Sequence, residues 1–146
     1  RDAAAAAAGT AGGGRLRVIG VTLLTSGDAE TLAETGVVEP PADIVARLAR
    51  LTQAAGLDGA VISPLEVEAV RAACGREFLL VCPGIRPAAR QEDDQRRVRA
   101  AGAAVAAGAD MLVVGRPITR APDPRRAAEE ILREIAQASA SPRLPG

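Results

Sequence analysis

Short apolar runs alternate along this chain with longer stretches of helical spacing. Leu16 to Leu24 (Leu-Arg-Val-Ile-Gly-Val-Thr-Leu-Leu) is β-branched and almost continuously apolar. That suits a strand buried on both faces of a parallel sheet. Thr25 to Asp28 reads as the loop after it, and Asp28 to Glu34 as a short helix capped by Ser26 or Asp28. Pro40 to Asp43 opens the next helix, whose apolar Ile44, Val45, Leu48 and Leu51 recur at helical spacing before Gly56 ends it. Gly59 to Ser63 is the second strand and Pro64 to Ala73 the helix after it. Phe78 to Cys82 is the third strand. Asp93 to Gly102 reads as partly helical, and Gly102 to Ala107 as a small-residue helix. Asp110 to Val114 is the fourth strand. Asp123 and Pro124 cap a last helix over Arg125 to Ala138.

Strands alternating with helices imply a parallel sheet wrapped by helices. Right-handed crossovers leave two solutions, an open doubly wound sheet or part of a closed barrel. In both, the working residues lie at the C-terminal ends of the strands. The candidates there are Thr25 and Ser26, Ser63, Pro83 to Arg86, and Gly115 to Thr119. If the chain is half a barrel, it exposes sheet edges near Leu16–Leu24 and Asp110–Val114, and such edges invite pairing with another chain.

Composition narrows the chemistry. With 146 residues the chain is one domain's worth, and 48% hydrophobic and 25% charged residues are ordinary for a globular protein. Its formal net charge of +0 gives no electrostatic case for nucleic acid or an acidic membrane. No apolar run is long enough to span a bilayer. The opening residues lack an apolar core after a basic start, so no signal peptide is expected. All 18 basic residues are arginine and there is no histidine, so no lysine ammonium and no imidazole is available for catalysis or metal binding. Cys74 and Cys82 are too few and too oddly spaced for a metal site, and read as buried thiols in a reducing cytosol.

We read the chain as a single domain over 1–146. Residues 1–14 form a helix remnant and a Gly-rich loop, and 139–146 a frayed tail. The first residue is Arg rather than Met, which suggests processing or a chain cut from a longer one.

Two turns carry the strongest chemical signal. Gly115-Arg116 follows a strand directly, with a glycine that lets an anion approach the backbone and an arginine fork that matches phosphate oxygens. Alone this reads as a tight turn with a solvated arginine. Gly84-Ile85-Arg86 repeats the arrangement one strand earlier, where barrels commonly bind phosphate. Asp93 to Arg97 reads by default as a solvated charge run. Thr25 ends a buried strand with a hydroxyl toward the strand tips, a placement common without function. Glu66 reads as a first-turn helix carboxylate rather than a general base, and Arg120, Arg125 and Arg126 as surface.

Several segments, taken in order, resemble the second half of orotidine 5'-monophosphate decarboxylase. They are Val21 to Ser26, Asp58 to Ser63, Pro83-Gly84-Ile85-Arg86-Pro87, Asp93-Asp94-Gln95-Arg96-Arg97-Val98 and Val114-Gly115-Arg116-Pro117-Ile118-Thr119. The likeness runs from the start to about Ile135. It implies a TIM-type (β/α)8 barrel, of which this chain supplies about the last four βα units. It also implies a cofactor-free, cytoplasmic homodimer that converts orotidine 5'-monophosphate to UMP and CO2 in pyrimidine biosynthesis. By that resemblance Thr25 contacts the pyrimidine, Arg86 borders the phosphate, Gln95 lies over base and phosphate, and Gly115 and Arg116 hold the phosphate. Cys82 stands where many relatives have Thr. The larger departure is catalytic: the family's network alternates Lys and Asp in an Asp-x-Lys-x-x-Asp run, and this chain has no such run. The 146 residues alone are therefore expected to be inactive. Two rivals stay open: a non-catalytic phosphate- or nucleotide-binding half-barrel completed by a partner, and another phosphate-binding barrel enzyme.

Overall fold

The computed structural model of the protein describes residues 16–23, 29–34, 36, 38–86 and 99–140. The expected helix remnant and Gly-rich loop, Thr25, Ser26, Gln95 and the end of the tail lie outside the described residues. Four strands, β1 (Ile19–Val21), β2 (Gly59–Val61), β3 (Leu79–Cys82) and β4 (Met111–Leu112), form one sheet in the order β1-β2-β3-β4. Every pair is parallel. The described helices are α1 (Ala29–Glu34), α2 (Pro41–Ala54), α3 (Val67–Cys74), α4 (Ala101–Ala107), α5 (Arg116–Thr119) and α6 (Pro124–Ala140).

The strand order decides between the two solutions. A doubly wound sheet reverses direction once, so that helices fall on both faces. Here each strand lies beside its predecessor without a reversal, and right-handed crossovers then carry every helix to the same face. This is the winding of a (β/α) barrel, and the four βα units make up part of one. The core confirms it. Ala60, Ile62, Leu80 and Cys82 are buried against Val45 and Ala49 of α2, Val67 and Val70 of α3, Ala101 and Ala104 of α4, and Ile131 of α6. Residues of opposite parity, Val21, Val61, Val81 and Met111, line up across the sheet by register on its other face.

Close helix–strand packing uses glycine at two points. A Cβ on Gly20 would lie 2.7 Å from Thr52 Cγ2, so α2 can rest on β1 only over a bare backbone. A Cβ on Gly59 would come within 2.3 Å of the Leu79 carbonyl oxygen, so β2 and β3 approach through the same device.

Several elements differ from the sequence reading. The strands are shorter than the apolar runs, because the ladder of β1 extends only as far as its single partner, β2. The second crossover helix begins at Val67 rather than Pro64. Ser63 forms a turn first: its carbonyl accepts from the Glu66 N–H at 3.1 Å and its hydroxyl from the Leu65 N–H at 3.2 Å. Arg99 is not helical, since Ile85 and Arg99 form a parallel bridge, and Ala100 is extended (φ −65°, ψ 151°) before α4 starts. In α2, Ala49 is buried in place of Leu51, which is 58% exposed. Leu51 lies about a third of a turn round the helix from Val45, two turns after Ile44 on the same side. The last helix runs through Ala140, past the expected start of the tail at Ser139. Asp123 caps it as expected, accepting from the Arg126 N–H at 3.0 Å.

Candidate functional site at the C-terminal strand ends

β3 ends in Pro83-Gly84-Ile85-Arg86. Gly84 has φ +76°, a left-handed conformation that turns the chain sharply after the strand. The turn is then fixed from two sides. Ile85 is buried at 1% exposure, and the Arg86 N–H donates to the Arg99 carbonyl at 3.2 Å. Arg86 is itself buried, at 8% exposure, with its Nη1 donating to the Ile85 carbonyl at 3.1 Å. A buried guanidinium is uncommon on a solvated turn and common where an anion is handled.

β4 lies beside β3 and is extended by the Val113 N–H, which donates to the Cys82 carbonyl at 2.9 Å. Its chain breaks at Gly115, whose carbonyl accepts from Ile118 at 2.9 Å and Thr119 at 3.0 Å to start α5. Among the described residues, a Cβ on Gly115 would meet no atom within 4 Å. Arg116 follows at once and is half-buried. Arg86 and the Gly115-Arg116 pair thus leave the tips of neighbouring strands, on one rim of the sheet.

β2 ends between them and β1. Ser63 is fully buried, and Glu66 is buried at 3% exposure. Glu66 occupies the capping position of α3 rather than a solvated first turn. The Ser63-Pro64-Leu65-Glu66 spacing, a hydroxyl three residues before a carboxylate, was the available signal for a structured polar turn. Just after β1, the Thr22 hydroxyl donates to the Val61 carbonyl at 2.8 Å. Thr25 and Gln95 lie outside the described residues, so of the five expected contact residues the structure describes Arg86, Gly115 and Arg116.

Cys82 points into the core below this rim. Burial first, and then the negative charge of Glu66 and Asp110, push its thiol up to about 12, against an opposing pull from Arg71. It is held as a neutral thiol. Burial likewise raises Cys74, with Arg50 and Arg71 acting against it. Both cysteines are packed side chains, as the sequence led us to expect. Among the described residues no three His, Cys, Asp or Glu side chains group as metal ligands, and no helix is long and apolar enough to cross a membrane. An open groove on α6 is lined by Asp123, Arg125, Arg126, Glu129, Glu130 and Arg133. Its arginines pair with its glutamates along the helix, and neither Arg86 nor Arg116 borders it.

Known proteins resemble this chain in sequence and in fold. The family model described as "Orotidine 5'-phosphate decarboxylase / HUMPS family" matches residues 2–131. The orotidine 5'-phosphate decarboxylase of Trichlorobacter lovleyi is 52% identical over 121 residues, which are 83% of this chain and 50% of that one. That of Geobacter sulfurreducens is 52% identical over 124 residues, 85% of this chain and 52% of that protein. The crystal structure of orotidine 5'-phosphate decarboxylase from Lactobacillus acidophilus superposes with a TM-score of 0.69 at 38% identity, covering 88% of this chain and 53% of that one. The chain therefore spans about half the length of the curated relatives it matches. On the matched residues and the superposed fold, the chain belongs to the orotidine 5'-phosphate decarboxylase / HUMPS family.

Proposed function

We propose that this chain is the nucleotide-binding half of an orotidine 5'-phosphate decarboxylase, the enzyme that converts orotidine 5'-monophosphate to UMP and CO2. The observation that carries the reading is the pair of arginine turns on adjacent strand tips, Pro83 to Arg86 and Gly115-Arg116, in a region 52% identical to such enzymes. In this reading Gly115 and Arg116 hold the phosphate. Gly115 admits an oxygen to the backbone, and the guanidinium of Arg116 adds paired donors. Arg86 borders the same phosphate, Gln95 bridges base and phosphate, and Thr25 contacts the pyrimidine.

The chemistry breaks the bond between C6 and the carboxylate and leaves the electron pair on C6. A lysine ammonium then protonates that carbon, within a network ordered by aspartates. The phosphate is remote from C6, and its binding energy favours the transition state through closure and orientation. This chain contains no lysine. It supplies binding and orientation, and the other half of the barrel supplies the acid. The complete enzyme is a cytoplasmic homodimer that uses no cofactor.

Parallel calorimetric titrations of the chain with UMP and with a sugar phosphate such as ribulose 5-phosphate test the assignment. Binding of UMP in preference to the sugar phosphate is expected. The reverse preference would transfer the site to a sugar-phosphate enzyme of the same barrel type.

A further inference from the structure

Among the described residues the buried polar or charged side chains are Ser63, Glu66 and Arg86. All three follow the C-terminal ends of two neighbouring strands, β2 and β3. Elsewhere charge stays near water. Even Asp110, held by Arg71 at 2.6 Å, keeps 35% of its side chain exposed, whereas Glu66 is 3% exposed. Withdrawing a carboxylate from water is unfavourable unless opposite charge or hydrogen bonds offset it. Helix capping does not account for the burial, because the Glu66 side chain makes no capping bond to α3.

The register shows what Glu66 stands beside. Val61 pairs with Val81, and the Ile62 N–H donates to the Val81 carbonyl at 3.0 Å. Ser63 therefore lies next to the end of β3, where Pro83 begins the arginine turn. The Ser63 turn then sets Glu66 at the start of α3, its N–H donating to the Ser63 carbonyl. From there its charge reaches Cys82, the last residue of β3: burial, and after it the negative charge of Glu66, push that thiol up. Arg86 lies four residues further on and is held from two sides, by the Arg99 carbonyl at its N–H and by the Ile85 carbonyl at Nη1. A fixed anion and a fixed cation are thus buried at adjacent strand tips. In such surroundings opposite charges act on each other over longer distances than in water.

We propose that Glu66 is a positioning residue of the phosphate site: its buried carboxylate opposes the Arg86 guanidinium and holds the Pro83–Arg86 turn in the orientation that offers Arg86 to a phosphate ester. This rests on the functional reading above for the phosphate, though not for the nucleotide attached to it. The sign of the effect separates positioning from two other roles. As a bare charge near a phosphate, a carboxylate repels it, so its loss would tighten binding. As packing alone, its loss would lower stability and leave affinity as it is. Positioning makes affinity fall when Glu66 loses its charge.

The test is calorimetric titration of the full chain and its variants with UMP and with ribulose 5-phosphate, the folded state being followed by far-UV circular dichroism. Glu66→Gln keeps the shape and removes the charge, and should weaken binding of the phosphate ester about tenfold. Glu66→Asp keeps the charge and should recover most of that loss. Arg86→Gln should weaken binding at least as much, and adding Glu66→Gln to it should lose nothing further, because no guanidinium is left to position. Urea denaturation gives a second reading. The double variant should be more stable than the two single losses added together predict, since each single change leaves a buried charge unopposed. A Glu66→Gln variant that unfolds while the double variant folds would support the same opposition of charges. Ribulose 5-phosphate preferred over UMP, with the same dependence on Glu66, would support the proposal and count against the decarboxylase reading. UMP preferred, with unchanged or tighter binding by folded Glu66→Gln, would overturn the proposal and leave that reading standing. Additive losses in the double variant would overturn it as well.

Discussion

The two rims of the sheet use polar residues in opposite ways. At the N-terminal rim, polar side chains bond to the backbone and to one another. Asp58, just before β2, accepts the Val18 N–H at 2.8 Å while its own N–H donates to the Val18 carbonyl at 2.9 Å. Asp110, just before β4, repeats the clasp on Leu80, accepting at 2.8 Å and donating at 3.0 Å. Arg71 of α3 closes the rim. Its guanidinium reaches the carbonyls of Gly75, Arg76, Phe78 and Gly108 and the carboxylate of Asp110 at 2.6 to 3.0 Å. At the C-terminal rim the strands break into glycine turns, and an arginine leaves each of two neighbouring strand tips. The N-terminal rim is clasped by Asp58, Asp110 and Arg71, whereas the C-terminal rim carries two glycine turns with an arginine in each. In barrels of this kind the first arrangement serves stability and the second serves ligands.

The comparison breaks most visibly at Arg71. Arg71→Met should destabilise the fold by about 3 to 4 kcal/mol, because several rim carbonyls and a partly buried carboxylate lose their partner. Chemical denaturation measures this, and UMP affinity of the folded fraction should be unchanged. The opposite pattern is expected at the other rim. Arg116→Ala should weaken UMP binding by about 2 to 3 kcal/mol, the strength of a paired charge-assisted contact, and shift the thermal midpoint little. Calorimetric titration beside a melting curve separates the two effects. If Arg71→Met abolished UMP binding in folded protein, the division between rims would fail.

Cys82 links the rims through the core. The native state holds its thiol protonated up to about 12, above the unfolded value of 9.0. Above pH 9 the unfolded chain therefore binds fewer protons than the native one, and stability falls as pH rises from about 9 towards 12, by at most about tenfold in the folding constant per pH unit. Urea titrations at stepped pH read this, and Cys82→Ser should flatten the slope. The smallest effect is expected at the cap of α6. Asp123→Ala should cost about 1 kcal/mol, whereas breaking the exposed Arg125–Glu129 pair should change stability by less than about 0.5 kcal/mol.

Much of the winding was legible in the sequence because apolar runs and glycine or proline breaks are local signals. The four strands and the helices after them follow from Leu16–Leu24, Gly59–Ser63, Phe78–Cys82 and Asp110–Val114. The burial of both cysteines and the cap at Asp123 were legible for the same reason. What escaped is non-local. Nothing near Arg71 in the chain announces that its partners lie as far away as Gly108 and Asp110. The exposure of Leu51, on the same side of α2 as buried Ile44, depends on what packs along that helix, and the burial of Glu66 follows the Ser63 turn that delays α3. Of the candidate site, Arg86, Gly115 and Arg116 were picked from two adjacent strand–turn signals. The residue pattern alone left an open sheet or a barrel, the family resemblance implied the barrel, and the strand order bears it out.

If the proposed function holds, this chain binds the nucleotide and lacks the lysine that protonates C6. The direct measurement is CO2 release from labelled orotidine 5'-monophosphate by the purified 146-residue chain, at a concentration where UMP binding has been shown. No release above the uncatalysed background is predicted. Sustained turnover that disappears with Arg116→Ala would contradict the account, because a chain without lysine would then be performing the whole reaction.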